Sequence, residues 1–436
     1  MSTIKIYPQK NITGSTKIPG DKSISHRALM FAALAKGTSE IENLLEGHDC
    51  MATLQVMRAL GVHIELKQES WLVHARGVQA LLEPTSVLDC KNSGTTIRLM
   101  AGLLSAMPFM SILDGTDQIK SRPMDRVIEP LREMGAQIFG RAQNRLAPLA
   151  IVPGQLKGTC YELKVKSAQV KSALILAGLF ASGETVINGT RSTRDHSERL
   201  LSFMGADIHV NDDSLRIAPL KNDLHAFKMK IPGDISSAAF LLAAGALLAE
   251  SGIVLKEVGV NPTRTGIVDA LRMMGASIDL RCPKESAHEP IADIHIKKSK
   301  LHGTQFFGEH VVRMIDEIPL LALIATQAHG ATIIKDAQEL KVKESNRITK
   351  TVELLSSLGA DIKESDDGMK IIGPTPLKGG KVSSFGDHRL AMMMSIAGLI
   401  AQEPVVIKQA HVSDDSFPGF YDCISKLGGK AEVLDD

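Results

Sequence analysis

The stretch Arg126–Ile138, RVIEPLREMGAQI, decides the fold class. Val127, Ile128, Leu131 and Met134 recur at helical spacing, and Gly135 then breaks the pattern. A β-branched residue follows at Ile138. The stretch therefore predicts an amphipathic helix, a glycine at its C-cap and a strand beyond it. The closing phrase is not unique. It reads LGVHI at Leu60–Ile64, MGAQI at Met134–Ile138 and MGADI at Met204–Ile208. It continues as MGASI at Met274–Ile278, LGADI at Leu358–Ile362 and LGGKAEV at Leu427–Val433. The glycines are Gly61, Gly135, Gly205, Gly275, Gly359 and Gly428, nearly evenly spaced apart from a longer interval between Gly275 and Gly359. Helix–Gly–strand is common once, but six occurrences near one period indicate an internal repeat.

A second series interleaves with the first. Small, apolar helical runs begin near Ser25, Thr95, Val170, Ser236, Glu317 and Leu390, and most lead into β-branched stretches such as ETVINGT, GIVLKEV and PVVIKQA. Each unit reads as helix, strand, loop, helix, strand, which argues for an α/β class. The pentapeptide KIPGD occurs at Lys17–Asp21 and again at Lys230–Asp234, close to half the chain later and close to three repeats. Pro-Gly is a turn signal. The two copies are therefore expected to mark crossings between domains near 17–21 and 230–234. Domain two would span 20–231. Domain one would be discontinuous, 1–19 plus 232–436, with three repeats in each domain.

Composition agrees with a globular protein of two domains. The chain has 436 residues, 44% hydrophobic and 23% charged, and single cores rarely grow past about 300 residues. Lys+Arg number 50 against 49 Asp+Glu, a net charge of +1, so total charge gives no support to a nucleic-acid or membrane partner. Five dispersed cysteines without C-x-x-C spacing suggest reduced thiols. The opening MSTIKIYPQK lacks the apolar core of a signal peptide. The longest uncharged apolar stretch, near Phe240–Ala249, is half a bilayer span. A cytoplasmic protein is expected.

Charge is concentrated at the starts of the second helix series. These read PGDKSISHR (Pro19–Arg27), KNSGTTIR (Lys91–Arg98), KSAQVKS (Lys166–Ser172), PGDISS (Pro232–Ser237), MIDEIP (Met314–Pro319) and FGDHR (Phe385–Arg389). Asp, Ser and Asn there are ordinarily N-caps, which accounts for Asp234 and Ser236. Capping does not account for Lys22, Arg27, Arg98 and Arg389. Cations near a helix N-terminus oppose its dipole unless an anion lies between them. Ser23 and Arg27 are four apart and share a face, and Lys343 and Arg347 in KVKESNR repeat that spacing. Lys120, Arg122, Arg126 and Arg194 add cations in loops. Such a set suits small polyanions, although each cation alone reads more readily as part of a solvated face. A Walker A loop, a strand-linked G-x-G-x-x-G, H-E-x-x-H and G-x-S-x-G are all absent from the sequence. Aromatics, at 4%, offer few stacking platforms.

Taken together, PGDKSISHR, NSGTTIR, SRPM, SAQ, IDE, KVKESNR and GDHR closely resemble the 5-enolpyruvylshikimate-3-phosphate synthase family over residues 4–430. The motifs of its second, glyphosate-tolerant class match at Gly20–Lys22, Ser167–Gln169, Arg194–Glu198 and Asn261–Thr263. The resemblance implies a two-domain inside-out α/β barrel of six βαβαββ repeats, hinged to close over its substrates. It implies transfer of the enolpyruvyl group of phosphoenolpyruvate to shikimate 3-phosphate by addition and elimination, with no metal or organic cofactor and a monomeric protein. By resemblance, Lys22, Ser23, Arg27, Ser167, Ala168, Gln169, Arg194, Asp316 and Lys343 match shikimate 3-phosphate contacts. Lys22, Gly94, Arg122, Gln169, Arg347 and Arg389 match phosphoenolpyruvate contacts. Asp316 is assigned as the base at the 5-hydroxyl, Glu344 as the acid/base at C3, and Lys22 as an aid to proton transfer. Asp316 could otherwise be a cap, and Glu344 a salt-bridged surface group.

Two departures from the resemblance stand out. Ala168 replaces a serine of the other class, leaving only a backbone contact. The other class also carries a lysine shortly before the final F-P, where this chain reads DDSFPGF (Asp414–Phe420). Gly94, where some tolerant members have alanine, leaves room for glyphosate and so pulls against the tolerance that the class implies. The nearest rival is UDP-N-acetylglucosamine enolpyruvyl transferase, which uses a loop cysteine; this chain has no Cys between Cys90 and Cys160. A non-catalytic anion-binding protein of the same fold is the other alternative.

Overall fold

The repeated glycine has one physical job in all six places. In the structure, a computed structural model that describes residues 2–434, Gly61, Gly135, Gly205, Gly275, Gly359 and Gly428 all adopt φ between 86° and 100°. An L side chain is strained there. Each glycine N–H donates to the carbonyl three residues back, and the next N–H reaches five back: Gly135 to Arg132 O and Ala136 to Leu131 O, for example. The same pair of bonds recurs at all six positions. This is the Schellman cap, which satisfies orphan carbonyls while turning the chain out of the helix. Helices His48–Ala59, Asp125–Glu133, His196–Phe203, Gly266–Met273, Arg347–Ser357 and Phe420–Lys426 end this way, each leading into a strand.

Those strands belong to six mixed sheets among the described residues, five of four strands and one of five. Each sheet combines parallel pairing with antiparallel neighbours. In the sheet containing Gln137–Gly140, Leu88 pairs parallel with Leu113, Ser111 antiparallel with Ile151, and Ile138 antiparallel with Ile151 from the other side. The first strand of the chain, Thr3–Tyr7, lies between Val405–Lys408 and Lys430–Leu434 and so completes the last repeat. In the five-stranded sheet, Leu224–His225 and Lys228–Lys230 both pair parallel with Ala35–Glu42. The fold is the mixed α/β architecture of six repeats expected from the sequence.

The second helix series forms Lys22–Ala32, Gly94–Leu104, Ala168–Gly178, Ile235–Leu248, Ile318–Ala325 and His388–Ile400. These are buried nearly all round: every residue of Ile318–Ala325 is buried, and Met392, Met393 and Met394 are fully so. Small residues allow the close packing. A Cβ on Gly102 would meet the Ala173 carbonyl at 2.2 Å, so helix Gly94–Leu104 runs against helix Ala168–Gly178 with backbone nearly in contact.

The chain divides into two compact units, Met1–Pro19 with Pro232–Glu285 and Pro290–Asp436, and Gly20–Ile231 with Ser286–Glu289. Each has its own apolar core, and Ala287 belongs to the core of the second. No helix among the described residues is long and apolar enough to cross a membrane.

The caps give a paired test. A Cβ at Gly135 would lie 2.5 Å from the Gln155 carbonyl, whereas one at Gly428 meets nothing within 4 Å. Gly428→Ala is expected to cost about 1 kcal/mol for its left-handed backbone, and Gly135→Ala roughly 2 kcal/mol or more. Urea unfolding of the two variants checks the order; equal losses would contradict it.

Candidate active site

In the unit Gly20–Ile231, three buried helices begin at Lys22, Gly94 and Ala168. Asp21 caps the first, its Oδ1 accepting from Ile24 N at 2.9 Å, and Ser93 caps the second through Thr96 N at 3.1 Å. Ser167 stands at the N-cap of the third without a side-chain capping bond. Capping is thus real at two of the three starts, and the cations lie beside it. Lys22 Nζ pairs with Asp49 Oδ2 at 2.5 Å. Arg27 shares its helix with Ser23, donating from Nη1 to the Ser23 carbonyl at 2.9 Å. Its other donors reach hydroxyls, Nε to Ser197 Oγ and Nη2 to Ser172 Oγ, both at 2.7 Å. Its bonds thus go to neutral oxygens. Burial pushes Arg27 down to about 10, with Glu198 opposing and Arg194 reinforcing through like charge, so it is cationic at neutral pH.

The starts of the second and third helices are joined. Arg98 Nη1 donates to Gln169 Oε1 at 2.6 Å, and Gln169 Nε2 donates to Thr95 Oγ1 at 3.1 Å. A Cβ on Gly94 would lie 3.1 Å from both Arg122 Nη1 and Arg98 Nη1. The two guanidinium groups therefore crowd one point above the first residue of the helix. Like charges this close repel, and the helix N-terminus adds positive potential there, which an anion at that point would relieve. In the same unit, Lys171 and Glu198 form a buried ion pair, and His196 Nδ1 meets Glu289 Oε1 at 2.7 Å.

The other unit gathers a second set. Arg347, 2% exposed, is ringed by carboxylates: Nε to Asp387 Oδ2 at 2.8 Å, Nη2 to Asp387 Oδ1 at 3.2 Å and Glu344 Oε2 at 2.7 Å, and Nη1 to Asp316 Oδ1 at 3.4 Å. These bonds use four of its five donors. Lys343 Nζ also reaches Asp316 Oδ1, at 3.2 Å. Burial works against charge on Arg347, but Asp387, Glu344 and Asp316 outweigh it and raise its pKa. Burial likewise works against an ionised Asp387, yet Arg347 holds its carboxyl below the usual range. Asp387 also caps helix His388–Ile400 by accepting from Arg389 N at 2.9 Å. Arg389 Nη1 donates to the Ser236 carbonyl at 3.1 Å and lies 3.5 Å from Glu317 Oε1. Asp234 caps its helix through Ser236 N, and the buried Arg264 donates to both Asp234 Oδ1, at 3.0 Å, and Ser236 Oγ, at 2.7 Å, in line with the capping role expected of Asp234 and Ser236.

One sequence expectation needs correction. Lys343 and Arg347 do not share a helical face. Asn346 caps helix Arg347–Ser357, and Lys343 closes a short 3-10 turn before it. They meet instead on one oxygen of Asp316. The partners Asp49, Asp387 and Glu317, and the Arg98–Gln169 bond, were not singled out from sequence. Only Asp387 and Glu317 carried a signal, inside GDHR and IDE.

A family model, EPSP synthase (3-phosphoshikimate 1-carboxyvinyltransferase), matches residues 6–424. The chain belongs to this family. It is 49% identical to the 3-phosphoshikimate 1-carboxyvinyltransferases of Desulforudis audaxviator and Bacillus subtilis, covering 98% and 97% of this chain and 99% of each relative. Among solved structures, EPSP synthase from Acinetobacter baumannii superposes with a TM-score of 0.90 at 39% identity, covering 100% of both chains. The enolpyruvyl transferase NikO from Streptomyces tendae, at 17% identity and a TM-score of 0.80, covers 99% of both chains and shares the fold.

Two electrostatic features of this EPSP synthase family member are testable. Arg347→Ala would leave three carboxylates without their central cation. It is expected to destabilise its unit by about 3–5 kcal/mol, beyond any loss of substrate binding. Thermal unfolding without substrate checks this; an unchanged midpoint would contradict it.

The second feature is His26, fully buried, with Nδ1 2.7 Å from Thr53 Oγ1. Burial pushes it down to about 3, with Asp49 opposing and Lys22 and Arg27 assisting. Between its unfolded value of about 6.5 and 3, the unfolded chain binds the extra proton, so stability falls as pH drops through that window. From pH 7 to 4.5 the loss from this group is about 2.5 kcal/mol. His26→Gln should flatten that part of the stability–pH curve in urea titrations. An identical slope would refute the assignment.

Proposed function

We propose that the chain transfers the enolpyruvyl group of phosphoenolpyruvate to the 5-hydroxyl of shikimate 3-phosphate, releasing phosphate and forming the enolpyruvyl ether. The reading rests chiefly on one observation: two cations and two carboxylates, Lys343, Arg347, Asp316 and Glu344, are linked by contacts of 3.4 Å or less, while a separate set of arginines crowds helix starts. An anion-binding protein needs the arginines but not the paired carboxylates. Each substrate carries a carboxylate and a phosphate, the latter bearing about −1.5 to −2 at neutral pH.

Shikimate 3-phosphate would be held by Ser23, Arg27, Ser167, Gln169 and Arg194, by the Ala168 backbone, and by Lys343. Phosphoenolpyruvate would meet Arg122 beside Gly94, with Lys22, Gln169 and Arg389. Arg347, with most donors already on carboxylates, would offer its remaining Nη1 N–H and fix Glu344 in place. Asp316 takes the proton of the 5-hydroxyl as its oxygen bonds to C2 of phosphoenolpyruvate. Glu344, entering this step protonated, gives its proton to C3, and a tetrahedral adduct forms. Loss of phosphate from C2 and of a C3 proton back to Glu344 restores the double bond. Lys22 balances charge on the leaving phosphate.

The four second-class motifs support placement in that class, and the resemblance supports a cytoplasmic monomer. The rival sugar-nucleotide reading lacks its loop cysteine. Cys90 is buried, and burial followed by the charges of Asp89 and Asp114 pushes its thiol far above the ordinary range, so it stays protonated.

Phosphate release from phosphoenolpyruvate tests the proposal. Release should require shikimate 3-phosphate and should not occur with UDP-N-acetylglucosamine; the opposite pattern would overturn it. Asp316→Ala and Glu344→Gln should each lower kcat by about 10²-fold or more. Unchanged turnover would remove that residue from the mechanism.

A further inference from the structure

A second cluster of chemistry lies on the open face of the sheet built from Ala35–Glu42, His63–Lys67 and Ser70–Arg76. His63 and His74 are directly paired across two antiparallel strands. Glu65 is two residues beyond His63 and so shares its face. Register places Glu65 opposite Leu72, which makes His74 its diagonal neighbour on that face. The side chains converge. His74 Nε2 is 3.3 Å from Glu65 Oε1, His63 Nε2 is 3.8 Å from Glu65 Oε2, and the three ligand atoms lie within 4.8 Å of one another. The imidazoles lie nearly parallel, 25° between planes, with centroids 5.1 Å apart.

We propose that His63, Glu65 and His74 bind one zinc-class divalent cation, with water completing the coordination. Two histidines and a glutamate are an established donor set for such ions. Metal–ligand bonds of about 2.0–2.2 Å in a tetrahedron place neighbouring ligand atoms about 3.4 Å apart. The 3.3 Å from His74 Nε2 to Glu65 Oε1 already matches that edge, and His63 Nε2 lies 3.8 Å from the other carboxylate oxygen, Oε2. All three side chains are at least one-third exposed and can close the remainder by small rotations.

The surroundings supply an orienting partner. Thr38, the register partner of His74 on the other side, has Oγ1 2.9 Å from His74 Nδ1. With Nδ1–H donating to that hydroxyl, the Nε2 lone pair faces the metal position. The sequence signal is thin: H-x-E on one strand and a histidine on the next, joined only once the register is known. A bound cation would clip strand His63–Lys67 to strand Ser70–Arg76.

The test is calorimetric titration of ZnCl₂ into chelator-treated full-length protein. The expected result is one site that disappears in the His63→Ala/His74→Ala double variant. Affinity should fall tenfold or more in Glu65→Gln, and about tenfold in Thr38→Val through the orienting bond. Cobalt substitution should give the visible absorption of a tetrahedral ion in wild type and not in the double variant. Circular dichroism and enzymatic turnover should be the same in all variants, because none of these residues belongs to the catalytic set. No zinc uptake by wild type would overturn the proposal. Uptake undiminished in the double variant would also overturn it, locating the ion on other ligands.

Discussion

In each unit, three helices are buried along nearly their whole length, and that burial dictates where polar chemistry can sit. A helix buried all round has no solvated face, so it can present charge only at its ends. The C-terminal ends run into strands. The N-terminal ends carry unpaired N–H groups that must find acceptors. Asp21, Ser93, Asp234 and Asp387 supply some of those acceptors as caps. The remaining positive potential, reinforced by Lys22, Arg27, Arg98 and Arg122, suits the anionic groups of the proposed substrates.

The two units handle this charge differently. In Gly20–Ile231, Arg27 is held by serine hydroxyls and a carbonyl, which position it without neutralising it. In the other unit Arg347 is surrounded by three carboxylates, and its charge is neutralised internally. The first arrangement fits a group that binds an anion. The second fits a group that fixes acids and bases in place, since removing a cation from a buried network leaves its carboxylates without compensation. Asp387 serves both needs at once: one side chain caps a helix and holds Arg347 by a bidentate bond.

The parts of the fold legible in the sequence were those set by local backbone needs. Six positions require left-handed φ, and glycine answers at each, so the repeat could be read one phrase at a time. Buried helices were legible as small-residue runs, with Gly102 serving backbone approach. Contacts made across long separations were not legible. Lys22 and Asp49, Arg347 and Asp387, and Arg98 and Gln169 each lie on different elements, and no period links them. The Lys343–Arg347 spacing suggested one helix face, but the Asn346 cap starts a new helix between them. The shared target, Asp316, becomes visible only when the 3-10 turn and the helix are placed together. His63, Glu65 and His74 were hidden for a related reason: strand register, not sequence spacing, makes them neighbours.

If cations at buried helix starts serve to hold substrate anions, removing one must weaken binding even where no turnover occurs. Calorimetric titration of shikimate 3-phosphate alone into wild type and Arg27→Gln tests this most directly. Arg27 is a buried guanidinium bonded to hydroxyls and a carbonyl, so its charge should be committed to ligand. Arg27→Gln is expected to lose about 1.5–3 kcal/mol of binding, roughly ten- to a hundredfold, with folding intact. Equal affinity in the two proteins would show that the charge serves the fold alone and would contradict this role.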